Sequence, residues 1–139
     1  MSVTSKTISL RVPANIVFRA LKDTRLEKIY PEFFVGITRK LATDKENKEL
    51  EFKTTIHESP IRIVEKFRLT ISRHTSTEVE YVTETNVEEN DIVVQSIVQT
   101  HIANIIYSLL MLETGYINGL IEKRKWMDGW MDESSVMSK

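Results

Sequence analysis

Residues 103–130, ANIIYSLLMLETGYINGLIEKRKWMDGW, decide how the rest of the chain is read. At 100° per residue, Ile105, Ile106, Leu109, Leu110, Leu112, Tyr116, Ile117, Leu120 and Ile121 fall in one broad sector, the signature of an amphipathic helix. Lys123, Arg124 and Lys125 suit its C-terminal half, where the helix dipole favours cations. At 1.5 Å per residue it would reach roughly 40 Å. A stripe of that length requires an equally long apolar surface to lie on, and the preceding residues are read for one.

Across residues 35–102 the hydrophobic period is two, with breaks at residues 44–47, 59–60, 74–76 and 88–90. Five strands are expected. Their inward sets are Val35, Ile37, Leu41; Leu50, Phe52, Thr54, Ile56; Ile61, Ile63, Phe67, Leu69, Ile71; Val79, Tyr81, Val87; and Ile92, Val94, Val98, Ile102. The opposite positions carry Glu, Lys, Arg and Gln, as an antiparallel sheet with one wet face requires. Ahead of them, Ile8, Leu10 and Val12 alternate until Pro13, which lacks an amide donor and ends the ladder. Ile16, Val17, Ala20 and Leu21 then space as a short helix, and Leu26, Ile29, Tyr30 and Phe33 as a second, with Asp23 or Thr24 as its cap and Pro31 near its end. The expected fold is therefore α+β: about six antiparallel strands, two short helices after the first, and a long C-terminal helix across the curved sheet.

That order, with Val12-Pro13-Ala14, Val17-Phe18, Ala20-Leu21, Asp23, Leu26 and Tyr30-Pro31 at one end and Tyr116-Ile117-Asn118-Gly119-Leu120-Ile121-Glu122 at the other, resembles the START-like, Bet v 1-like (SRPBCC) helix-grip superfamily over about residues 5–126. The sequence departs from the family in having six expected strands where seven are usual, and Tyr30 where the residue before the proline is often Trp. The resemblance implies a cavity between sheet and long helix for a small, largely apolar molecule such as a lipid, quinone or polyketide, and a missing strand would shrink it. It equally leaves open an enzyme of the cyclase or hydratase kind and a co-chaperone-like interaction module.

The 139 residues bound these readings: the length suits one domain spanning the whole chain, with residues 127–139 a tail. Nineteen Lys and Arg against 20 Asp and Glu leave a net charge of -1, without the basic field that nucleic-acid binding uses. The absence of cysteine excludes disulfides, thiolate catalysis and Cys-containing zinc sites. His57 and His101 alternate onto the wet face and His74 falls in a turn, so neither metal nor cofactor is expected. No secretory apolar core is visible near the N-terminus, and the longest apolar stretch, residues 102–112, is short of the roughly 20 residues of a membrane span. The expectation is a cytoplasmic protein.

Three charged residues break the apolar pattern. Glu65 is in register with Ile63 and Phe67, Arg39 lies between Ile37 and Leu41, and Glu113 sits within the helix stripe. Unpaired burial would cost several kcal/mol each, so Arg39 is expected beside Glu65 or Glu113. Either these groups form a structural ion pair, or with Phe67, Tyr81 and Tyr116 they anchor a ligand in the cavity. Thr54, Thr83, Thr85, Ser96 and Thr100 are also expected inward, where hydroxyls could orient a ligand. Trp126, Met127, Trp130 and Met131 pair at i,i+4 and suggest end packing, a lid, or a homodimer contact through the tail.

Overall fold

A computed structural model describes residues 2–23, 25–46, 48–57, 61–73, 76–86 and 91–121. Strand β1 (Ser2–Leu10) leads into helix α1 (Ala14–Lys22), the short helix α2 (Arg25–Ile29) and a 3-10 turn at Pro31–Phe33. Strands β2 (Ile37–Lys45), β3 (Glu49–Ile56), β4 (Ile61–Arg73) and β5 (Ser76–Thr85) follow, then helix α3 (Ile92–Ile121). The strands form one antiparallel sheet in the order β1-β5-β4-β3-β2. Pro13 starts the turn into α1, and the buried face of α1 (Ile16, Val17, Phe18, Ala20, Leu21) joins the core as the chain crosses to the far edge of the sheet.

Alternation sets the inner face of the sheet. Across it run three rows: Leu50, Phe67 and Tyr81; Phe52, Glu65 and Thr83; and Arg39, Thr54, Ile63 and Thr85. Most of these side chains are buried, and the core continues into Val98, Ile102, Ile105, Leu109 and Leu112 of α3, which lies over them. The ends of the expected strands differ. Val35 is 80% exposed beside Gly36, whose φ of +73° sets the turn into β2; Ile71 is exposed where the register shifts at the end of β4, and Leu41 where β2 bulges. Val87 lies outside the described residues.

The largest correction concerns the expected sixth strand. Residues 92–102 are the first three turns of α3, so five strands remain among the described residues. Ile92 and Val93 are exposed, whereas the buried positions Val98, His101, Ile102, Ile105, Ser108, Leu109 and Leu112 recur at steps of three and four. Asp91 caps the helix: its Oδ1 accepts from the Val94 amide at 3.1 Å, and its carbonyl accepts from Gln95 at 2.9 Å. Ser96 and Thr100, expected inward, are exposed on this helix. Over Ile92–Gly119, α3 is long and apolar enough by length and composition to cross a membrane, with a mean hydropathy of 1.3, which corrects the shorter apolar stretch read from sequence. Its buried stripe covers the sheet. The expected continuation to Trp130, and the contacts proposed for Trp126, Met127, Trp130 and Met131, lie outside the described residues.

Candidate functional site

Beneath α3, the carboxylate of Glu65 gathers side chains from four elements. Its Oε2 accepts from Arg39 Nε at 3.1 Å and from the Thr54 hydroxyl; its Oε1 accepts from the Tyr81 hydroxyl and from His101 Nε2 at 3.0 Å. A carboxylate offers about four acceptor positions, so four donors saturate it. The side chains of Arg39, Glu65 and His101 are at most 1% exposed. Arg39 also pairs through Nη1 with Glu27 on α2 at 3.3 Å, and its guanidinium carbon lies 4.3 Å from the centroid of the Phe52 ring. Phe67 stacks on Tyr81 at 4.7 Å and meets Phe52 edge-on, closing the cluster from the apolar side.

Burial alone would raise the pKa of the Glu65 carboxyl, but Arg39, His101 and the donated hydrogen bonds outweigh it and hold the group well below the usual carboxylate range. Burial, followed by the adjacent Glu65 charge, pushes the Tyr81 phenol well above its ordinary value. The two shifts predict stability limits on both sides of neutrality. A carboxyl more acidic when folded contributes stability that is present above its unfolded value, about 4.3, and is lost progressively as pH falls below that value toward the folded one. A phenol less acidic when folded contributes stability present below about pH 10 and lost as pH rises beyond it. Chemical denaturation at a series of pH values checks this: Glu65→Gln is expected to flatten the acid limb, and Tyr81→Phe the alkaline one.

Arg39, Glu65, Phe67 and Tyr81, four of the residues singled out in sequence, thus meet in one place. Glu113 does not join them. It accepts from the Arg11 amide at 2.8 Å and from Arg11 Nε at 3.1 Å at the rim, with Arg11 largely exposed. It is twelve residues beyond His101 on α3, about 18 Å along the axis at 1.5 Å per residue, so it meets Arg11 and not the Glu65 cluster. Tyr116 is one turn further on and partly buried against the core. Among the threonines, Thr54 meets Glu65, while Thr83 and Thr85 are buried in the same sheet face.

Sequence reasoning missed His101 and Glu27. Read as a strand, residues 92–102 send His101 to solvent; read as a helix, they bury it three residues after Val98 and four before Ile105. The available signal was Asp91 as a cap, followed by 23 residues without Gly or Pro, which leave no turn between a strand and a helix. Glu27 meets Arg39 only through the tertiary fold, and its sequence carries no such signal.

The cluster is closed to solvent, and a pocket borders it at His101. A pocket of about 280 Å³ lies between the Pro31–Phe33 turn, the start of β2 and the first half of α3, lined by Phe33, Ile37, Ile56, Ile97, Thr100 and His101 among others. His101 Nδ1 and Arg39 Nη2 are buried without a hydrogen-bond partner among the described residues. Among those residues no group of three or more His, Asp or Glu side chains is placed to hold a metal ion.

No protein-family model and no curated protein matches the sequence. Solved structures do. A START superfamily protein from Mycobacterium smegmatis superposes with a TM-score of 0.57 at 10% identity, over 81% of this chain and 97% of the other. This is the START-like helix-grip fold. A Streptomyces aromatase/cyclase shares it, with a TM-score of 0.51 at 10% identity over 84% of this chain and 95% of that one. An Hsp90 activator from Plasmodium falciparum does so less extensively, with a TM-score of 0.52 at 10% identity over 60% and 73% of the two chains. Helix-grip architecture places the pocket described above between the sheet edge and the helix that it grips.

Proposed function

We propose that this protein binds a small, largely apolar molecule in the pocket between β2 and the first half of α3. The observation that carries this reading is the pocket's composition: Phe33, Ile37, Ile56 and Ile97 supply apolar surface, and Glu32, Ser96, Thr100, His101 and Asn104 supply polar groups beside it. A lining divided between apolar and polar groups suits a small ligand with an apolar body and a polar end. At about 280 Å³ the space is at the small end of ligand pockets. Binding of this kind agrees with the START superfamily and aromatase/cyclase proteins that share the fold.

The sequence-derived anchors take a different role in this reading. Arg39, Glu65, Phe67 and Tyr81 form the packed support behind His101, while Glu113 and Tyr116 belong to the far half of α3. Titration with the neutral fluorophore 1-aminoanthracene tests the pocket. Ile97→Trp, which fills it from a half-buried position, is expected to weaken binding at least tenfold while the melting temperature changes little. Equal binding by the variant would place the dye elsewhere and overturn the reading.

A further inference from the structure

Turned away from the sheet, the outer face of α3 carries no charge. Between Ile92 and Ile121 the one Asp, Glu, Lys or Arg is Glu113, which is held by Arg11. A helix lying on a core ordinarily presents charged side chains to water. Here the exposed positions Ser96, Thr100, Ala103, Tyr107, Leu110 and Thr114 recur at alternating steps of four and three, and Val93 extends the series toward the N-terminus. That spacing is the seam of two helices packed side by side at a shallow angle. It runs along the side of α3 opposite the buried stripe of Val98, Ile102, Ile105, Leu109 and Leu112.

We infer that this stripe is the contact surface for a second copy of the chain, whose α3 packs on it in the opposite direction. The inference does not depend on the pocket being a binding site. The stripe complements itself when reversed. With Ala103 set against the partner's Tyr107, Thr100 meets the partner's Leu110 and Ser96 the partner's Thr114, so small side chains face large ones at the centre. In a parallel pair each of these residues would face its own equivalent, large on large and small on small. The charges flanking the stripe in sequence favour the same direction. Residues 86–91 contain Glu88, Glu89 and Asp91 and no base, whereas residues 122–125 carry a net charge of +2 from Lys123, Arg124 and Lys125 against Glu122. Reversal sets the acidic flank of each copy toward the basic flank of the other and opposes the two helix dipoles.

The footprint suits a reversible dimer. Over 30 residues at 1.5 Å each the stripe is about 45 Å long, and at a width of about 10 Å two copies cover about 900 Å², at the lower limit for a specific interface. A groove of about 460 Å³ beside the stripe, between Tyr30 and the α3 residues Tyr107, Met111 and Asn118, adds room for the partner's side chains. Closing the seam desolvates no charged group. Ser96 and Thr100 also line the pocket at the first half of α3, so the partner's helix passes along that pocket's rim.

Sedimentation velocity of the full chain at concentrations up to about 0.5 mM, enough to populate a pair with a Kd of about 0.1 mM, is expected to show a reversible dimer. Thr100→Glu and Leu110→Lys each put a charge into the seam at a surface position; each should weaken the dimer at least about tenfold, with the melting temperature at low concentration nearly unchanged. Combined in one chain, the introduced carboxylate and ammonium meet twice across a reversed pair, whereas a parallel pair sets like against like, so the double variant should recover the original affinity to within about threefold. Weakening without recovery would overturn the reversed seam, and a dimer that neither single variant weakens would place association on another face. A monomer at every concentration would also overturn the inference and name the other occupant: single variants that melt several degrees lower would assign the stripe to residues 122–139 of the same chain, and binding to phosphatidylcholine and phosphatidylserine vesicles that Thr100→Glu abolishes would assign it to a bilayer.

Discussion

Glu65→Ala is expected to destabilise the fold by about 3–5 kcal/mol, because it leaves the Arg39 guanidinium buried beside Phe52 with only the partly exposed Glu27 as a counter-charge. Tyr81, Thr54 and His101 lose an acceptor in the same step. A drop in melting temperature of about 10 °C or more should follow. The loss measures an orphaned charge and not the net worth of the pair, and a second variant separates the two. Arg39→Met with Glu65→Met removes both charges while retaining apolar volume, so it is expected to recover much of the stability. A loss below about 1 kcal/mol in Glu65→Ala would show that the cluster is hydrated and that the charges are not confined as described.

Phe67→Ala is expected to cost about 3–5 kcal/mol. Its ring is fully buried between two neighbours, stacked on Tyr81 at 4.7 Å and edge-on to Phe52 at 6.0 Å. Removing it opens a cavity at the centre of the inner sheet face and withdraws a wall from the Glu65 cluster. Denaturant unfolding of wild type and variant measures the loss, which should appear as a lower midpoint with a similar slope. A loss below about 1 kcal/mol would mean that Phe67 borders open space and belongs to the ligand pocket.

Both effects depend on strand register. Arg39 lies opposite Thr54, so a slip of β2 by one residue would send the guanidinium to solvent and deprive Glu65 of its Arg39 partner. The same ion pair that is costly to break therefore disfavours alternative pairings of this edge strand.

By itself the sequence determined the alternating inner faces of β3, β4 and β5, the two short helices after β1, and the burial of Arg39, Glu65, Phe67 and Tyr81 on one side. Each follows from a local repeat of two or of three to four residues, which fixes direction relative to neighbours along the chain. That Arg39 would meet Glu65 or Glu113 was legible too, because opposite charges forced inward must meet; the fold decided for Glu65. Tertiary structure decided what the local period leaves degenerate. Residues 92–102, rich in β-branched side chains at even spacing, satisfy a strand pattern, yet α3 buries Val98, His101, Ile102 and Ile105 against the sheet and leaves Ile92 and Val93 outside. Packing of that helix placed His101 on Glu65 and Glu113 on Arg11. The rotation and starting point of a helix depend on the surface it covers, and that surface is assembled from five strands spread along the chain.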